Sequence, residues 1–323
     1  MPGFFLYPGS QPTIMSDMRL SILLIALLVG CGPNAQEANQ EQGQPRAITV
    51  LVGRLENREI DEASGLARSQ SNADVFWVIN DSGKPRLHPI NTRGRALGRV
   101  KLDDANNSDW EDLSSFRLDG KPHLLVADIG DNDGKRKDVR LYFVEEPEPD
   151  EKKVDVAWSF EFSYPAGPRD AEAIAVDIEN ERVLVLSKRE IPAVLYALPL
   201  RPDGDKRQKA QRLGVPALPQ PRRQDVDFAR KTKNYWWQTT GMDLADDGSA
   251  AVILTYRGVY YYPRSADEDW MDALQRKPVA LKTGDFGEAE AIAFNTDSTS
   301  IYVTFENRGA PVIRIDLPEV KER

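Results

Sequence analysis

The chain is short of the residues that most often carry chemistry. One cysteine in 323 residues excludes an internal disulfide, and two histidines leave too few imidazoles for the zinc and copper sites that rely on them. No G-x-S-x-G turn occurs, so a Ser-His-Asp triad has no support. Basic charge is in deficit as well: 42 Lys and Arg against 51 Asp and Glu give a net charge of −9, and nothing draws the chain to a nucleic acid. Also missing is the run of ~20 apolar residues that a membrane-spanning helix needs. No basic, amphipathic helix suited to a bilayer surface is expected either.

The longest apolar stretch, Leu20 to Val29, follows Met18-Arg19 and runs into Gly30-Cys31. This is the pattern of a lipoprotein signal peptide, with Leu28-Val29-Gly30-Cys31 as lipobox and Cys31 as the lipidation site. A lipid anchor accounts for the lone cysteine. Residues 1–31 are assigned to an upstream extension and this signal, residues 32–47 to a polar tether, and residues 48–323 to the folded part. The tether has no aromatic or β-branched residue with which to build a core. Gly32, rather than Asp, follows Cys31, which in a bacterium with two membranes resembles an outer-membrane sorting signal. The expected place is the cell envelope, lipid-anchored, at the outer membrane and facing the periplasm or the cell surface.

Beyond residue 48 the sequence repeats. "EASGLA" (Glu62 to Ala67), "DWEDLS" (Asp109 to Ser114), "DAEAIA" (Asp170 to Ala175), "TGMDLA" (Thr240 to Ala245) and "EAEAIA" (Glu288 to Ala293) share small residues, an apolar fifth position and acids at the first or third, except that Thr240 and Met242 replace the acids in the fourth copy. Each leads into a turn and a β-rich apolar run, then a third run such as "VRLYFV" or "GVYYYP". A fourth is visible in most copies, as in "RALGRVKL", "VAWSFEFSYP" and "PVALKT". Short strands at this period predict an all-β fold: a single β-propeller of four-stranded antiparallel blades. Five blades are expected, with residues 48 to 56 supplying the outer strand of the last blade and closing the ring without a free sheet edge. The insertion near 200–236, rich in Pro and scattered charge, reads as a long surface loop, with a degenerate sixth blade or a lid as the alternatives.

Strand parity then places the acids. In an antiparallel meander the start of the first strand and the end of the second lie at one edge of the sheet. The motif acids therefore share one mouth of the channel with "NDSG", "DIGDN", "SKRE", "TYRG" and "ENRG", the ends of the second strands. Asp81, Asp109, Glu111, Asp112, Asp128 and Asp131 crowd the side of blades one and two, while Lys188, Arg189, Arg257 and Arg308 come from blades three to five. Carboxylates gathered in this way need protons, basic partners or a metal ion. The candidate ligands are Glu62, Asp109, Glu111, Asp128, Glu172 and Glu290, and an oxygen-only set suits calcium. Lys188, Arg189, Arg257 and Arg308 are the candidate anion-binding residues, the alternative being that each pairs with an acid of its own blade. Trp110 faces away from Asp109 and Glu111 and packs between blades. His88, in a third strand, and His123, on the edge away from the mouth, are expected to be packing or surface residues.

"EASGLA", "NDSG", "DWED", "DIGDN", "DAEAIAV" and "EAIAF", in this order from Glu62 to Phe294, resemble a family of largely uncharacterised bacterial lipoproteins and secreted proteins with predicted β-propeller folds. That family is similar in layout to phytase-like and other calcium-binding propellers. The resemblance implies a propeller with an acidic, calcium-bearing face; it carries no agreed activity. Two function classes follow. The favoured one is a lipid-anchored binding or assembly module that meets a protein or a small anionic ligand at its acidic mouth. The other is a metal-dependent phosphoesterase or lactone and ester hydrolase, with Lys188, Arg189 or Arg257 holding the anion.

Overall fold

The repeats fold as five sheets around one axis. The computed structural model describes residues 47–202, 204, 207–281 and 286–317. Blade one consists of Ala63–Arg68, Val75–Asn80, Arg86–Asn91 and Val100–Asp103, and blade two of Trp110–Leu118, Lys121–Asp128, Val139–Glu145 and Trp158–Ser163. Blade three is Ala171–Asp177, Arg182–Ser187, Leu195–Pro199 and Gln211–Gly214; blade four is Thr239–Leu244, Ala250–Thr255, Gly258–Pro263 and Val279–Leu281. Blade five takes Ala289–Phe294, Ser300–Phe305 and Pro311–Asp316 from the end of the chain and Ile48–Arg54 from its beginning. The first strand of every blade packs against that of the next, and the fifth against the first, which makes a closed five-bladed β-propeller.

The small residues of the motif explain the tight axis. A Cβ on Gly65 would lie 2.6 Å from the Leu113 nitrogen, and one on Gly241 would press against Ile292 at 3.0 Å. The large apolar side chains fill the wedges between blades: Trp77, Trp110 and Tyr142 between blades one and two, Phe143, Phe162 and Tyr196 between two and three, Ile60, Phe76 and Tyr302 between five and one. Trp110 is fully buried, as its place opposite the acids requires, and its indole Nε1 donates to the Asn106 carbonyl at 2.9 Å.

Pairing registers correct the repeat in blade four. Thr239 pairs with Thr255 and Gly241 with Leu254, as Ala171 pairs with Ser187 and Ala173 with Leu186 in blade three. The repeat is therefore "QTTGMD", Gln238 to Asp243, two residues earlier than the sequence alignment, and Gln238 and Thr240 occupy the acid positions.

The insertion forms no sixth blade among the described residues. Arg207–Lys209 adds in parallel to the outer edge of blade two, Gln211–Gly214 completes blade three, and Arg223–Thr232 is an α-helix. The loop reading missed these elements, the helix among them largely exposed. No helix among the described residues is long and apolar enough to cross a membrane. Cys31 and the polar tether up to residue 46 lie outside the described residues.

Candidate functional site

A β-bulge opens every innermost strand. Pairing with the second strand skips one residue between Ala63 and Gly65, Trp110 and Asp112, Ala171 and Ala173, Thr239 and Gly241, and Ala289 and Ala291. The skipped residues are Ser64, Glu111, Glu172, Thr240 and Glu290. A bulge breaks strict alternation and re-aims the extra side chain. Ser64 and Thr240 use theirs to tie blades together, donating at 2.7 Å to the carbonyls of Trp110 and Ala289 in the following blades. Glu111, Glu172 and Glu290, all buried, instead line a cavity of about 880 Å³ at the mouth.

One half of this mouth is neutralised from within. Lys188 ion-pairs with Glu172, its ammonium lies 5.2 Å from the centre of the Tyr256 ring, and Tyr256 donates its hydroxyl to Glu290 at 2.6 Å. Burial pulls the Lys188 ammonium down, but Glu172, Glu290, Tyr256 and Glu111 outweigh it, and its pKa stands well above the usual value. Arg189 pairs with Asp170 and also reaches Asn132.

The other half has no such partner. Oxygens of Asp81, Asp109 and Glu111 lie within 4.8 Å of one another, and Glu111 makes a second such group with Asp170 and Glu172. No ion pair to Asp81, Asp109 or Glu111 forms among the described residues; Arg136, whose charge acts on Asp109, bonds Asp128 at 2.6 Å and the Gly130 carbonyl at 2.7 Å. Gly130 leaves room for this packing, since a Cβ there would overlap the carboxylates of Glu111 and Asp109 as they stand. Burial, then the hydrogen bond and charge of Asp81, push Asp109 up to about 7. Burial and the charge of Glu172 raise Glu111 well above the carboxylate range, and burial lifts Glu290 to about 7 against Lys188 and Tyr256.

Raised carboxylates have a definite linkage sign. Protons bind the folded state more tightly than the unfolded one, so the stabilisation is fully present below about pH 4 and is lost as pH rises through about 7. For Glu290, which is buried, this loss is of the order of 3 kcal/mol; for Asp109, half-exposed, solvent screening leaves much less.

A scan of protein-family models gives no match, and a search of curated proteins gives none. Among solved structures, one titled "Structure of U3-55K" is similar over 79% of this chain and 68% of its own, at 13% identity and a TM-score of 0.36. A likeness that distant says nothing about the site.

The structure gathers Asp109, Glu111, Glu172, Glu290, Lys188, Arg189 and Arg257 at the mouth and disperses the other candidates. Asp128 turns into a separate pocket of about 280 Å³ with Arg136, and Arg308 pairs with Asp61 at 2.7 Å, whereas Glu62, which accepts a hydrogen bond from Ser82, stays close enough for its charge to act on Asp81. Asp131 accepts the backbone N–H groups of Lys135 and Arg136 and so folds its own loop. Asp112 is buried within the ring, where it accepts the Ile174 N–H of blade three at 2.7 Å. Sequence reasoning left Asp81 and Asp170 out of the ligand set, although both stand at motif positions in "NDSG" and "DAEAIA". It also missed Tyr256 and Trp236. Trp236 belongs to the segment after the added helix and lines the cavity, with the Arg257 guanidinium 4.8 Å above its ring. Neither histidine is near the mouth: His88 is buried beside Asn57, with burial holding it down to about 4, and His123 stacks on Phe116.

Proposed function

We propose that the protein is a lipid-anchored binding module of the cell envelope whose mouth holds a divalent cation, and that the ion is calcium. Glu111 carries the reading. It is 94% buried by its 6% exposure, makes no hydrogen bond or ion pair among the described residues, and lines the cavity between two groups of acids. An ionised carboxylate in that position feels the charge of Lys188, which is already paired with Glu172, and has no cation of its own among the described residues. Lys188 and Arg189 already answer Glu172 and Asp170, so the ion belongs with Asp81, Asp109 and Glu111. These are hard oxygen donors, and calcium takes six to eight such oxygens. Three carboxylates leave positions open toward the cavity, where a protein or a small anionic ligand would dock against Arg257, which has no carboxylate partner of its own among the described residues. No set of residues among those described compels a reaction, and binding is favoured over hydrolysis on that ground.

The test is thermal. Chelated protein is expected to lose stability between about pH 4.5 and 7.5, the window set by the raised carboxylates. At pH 7.5 calcium should restore it, by about 2.7 kcal/mol at a hundred times its dissociation constant, or roughly 5–10 °C. Glu111→Gln should abolish most of that response and stabilise the chelated form by removing repulsion. A wild-type melting temperature at pH 7.5 that ignores both calcium and chelator sinks the proposal. Turnover of phosphoesters or lactones that depends on calcium would move the protein to the hydrolase class.

The anchor is tested separately. Cys31→Ala is expected to shift the protein from the membrane pellet to the soluble fraction. Retention of the variant in membranes washed with high salt would contradict lipid attachment at Cys31.

A further inference from the structure

The helix Arg223–Thr232 is an odd element for this molecule. It buries one side chain, Ala229, in a fold of strands whose other described helix, Trp270–Gln275, buries four. At about 100° per residue, Arg223, Asp227, Lys231, Gln224 and Phe228 share the arc turned away from Ala229. Phe228 is 60% exposed and is the only aromatic among the strongly exposed large apolar side chains of the described residues. The helix acids are already engaged: Asp225 pairs with Arg222 at 3.2 Å and Asp227 with Arg230 at 3.8 Å. Arg223, Lys231 and Lys233, all exposed, have no acidic partner among the described residues. In a chain of net charge −9 this is a local patch of the opposite sign.

We infer that this helix is a docking surface for an anionic bilayer, with Phe228 entering the headgroup boundary and Arg223, Lys231 and Lys233 meeting lipid phosphates. Charge complementarity names the partner, and the amount of apolar surface narrows it. A specific protein partner needs about 800 Å² on each side around a packed apolar centre, whereas this arc offers a single aromatic ring. A bilayer interface accepts one ring and adds up unpaired cations one by one. The segment that follows the helix, Lys233 to Trp236, lines the mouth cavity, so docking would bring the mouth close to the lipid surface. The inference is independent of the cation proposed above.

A local probe tests it. Cys31→Ala removes the only cysteine, and Gln224→Cys on the exposed part of the helix then takes an environment-sensitive dye in the full chain. Vesicles of 30% phosphatidylglycerol in phosphatidylcholine should shift the dye emission to the blue; pure phosphatidylcholine should not. Lys231→Glu should raise the lipid concentration for half the shift by about tenfold or more, Phe228→Ala should shrink the shift, and added salt should weaken binding. Both substitutions are at exposed positions, and an unchanged melting temperature confirms that the fold is intact. No shift, an equal shift with neutral vesicles, or one that ignores Lys231→Glu overturns the inference. A shift with polyglutamate but not with anionic vesicles overturns it as well and assigns the patch to an acidic protein.

Discussion

A chain that begins at Glu59 is expected to show no cooperative melting transition where the whole protein is folded. Ile48–Arg54 pairs along its length with Pro311–Asp316, from Ile48 opposite Asp316 to Arg54 opposite Pro311. Without it, the third strand of blade five becomes a bare sheet edge. The loss extends beyond that edge. Leu55, buried in the wedge between blades five and one, donates its N–H to the Ala310 carbonyl at 2.9 Å, and Glu56 donates to Gly94 in blade one at 3.0 Å. Gly53 lies so close to blade one that a Cβ would overlap the Arg93 carbonyl. The segment therefore holds the last blade together and also locks the last blade to the first, and its removal opens the ring at one joint. A synthetic peptide of residues 47–58 added in trans should restore a transition in proportion to its concentration, since it binds only the closed form. If the shortened chain melts like the whole protein without the peptide, closure by this strand does not hold the ring.

That joint could be read from the sequence because the last repeat lacks a fourth run and "ITVLVGRL" stands unclaimed before the first. Blade number was legible for a similar reason: the axis admits only small residues, so "EASGLA" and its relatives recur wherever an innermost strand begins. What escaped is what pairing register decides. "TGMDLA" and "QTTGMD" both put an apolar residue fifth, and only the pairing of Thr239 with Thr255 separates them. The bulges are equally silent in sequence, yet they turn Glu111 and its counterparts toward the mouth. Parity placed Asp128 at the right edge but could not say which way it turned, and Arg136, eight residues on, holds it elsewhere. The helix Arg223–Thr232 has only Val226, Phe228 and Ala229 as apolar residues, too few to give a periodic stripe. It is capped locally, with the Arg222 N–H donating to Asp225 at 2.8 Å.

Within the ring, charge is used for structure, and there the second large effect is expected. Arg68 ends the innermost strand of blade one and is 3% exposed. Its Nη1 donates to Asp243 of blade four at 2.8 Å, its Nε to Asp246 at 2.9 Å, and its Nη2 to the Leu244 carbonyl at 3.3 Å. Asp243 in turn accepts the Phe294 N–H of blade five at 2.9 Å, so one guanidinium ties three blades together. Burial outweighs Arg68 at Asp243, which is pushed up to about 6, whereas Asp246, less enclosed, is held below the usual range. Arg68→Met keeps the length of the side chain but takes the ion-pair partner from two carboxylates. Breaking a buried pair from one side costs about 3–5 kcal/mol, roughly 10 °C in melting temperature for a domain of this size. Without Arg68 both carboxylates bind protons more readily, so the deficit should be largest at pH 7.5 and should narrow toward pH 5. Adding Asp243→Asn to Arg68→Met removes one of the stranded charges while keeping an acceptor for Phe294, and should recover part of the loss at pH 7.5 and little at pH 5. Urea unfolding at the two pH values measures both. A loss below about 1 kcal/mol, the scale of an exposed ion pair, would mean that the blades are held by their apolar wedges alone.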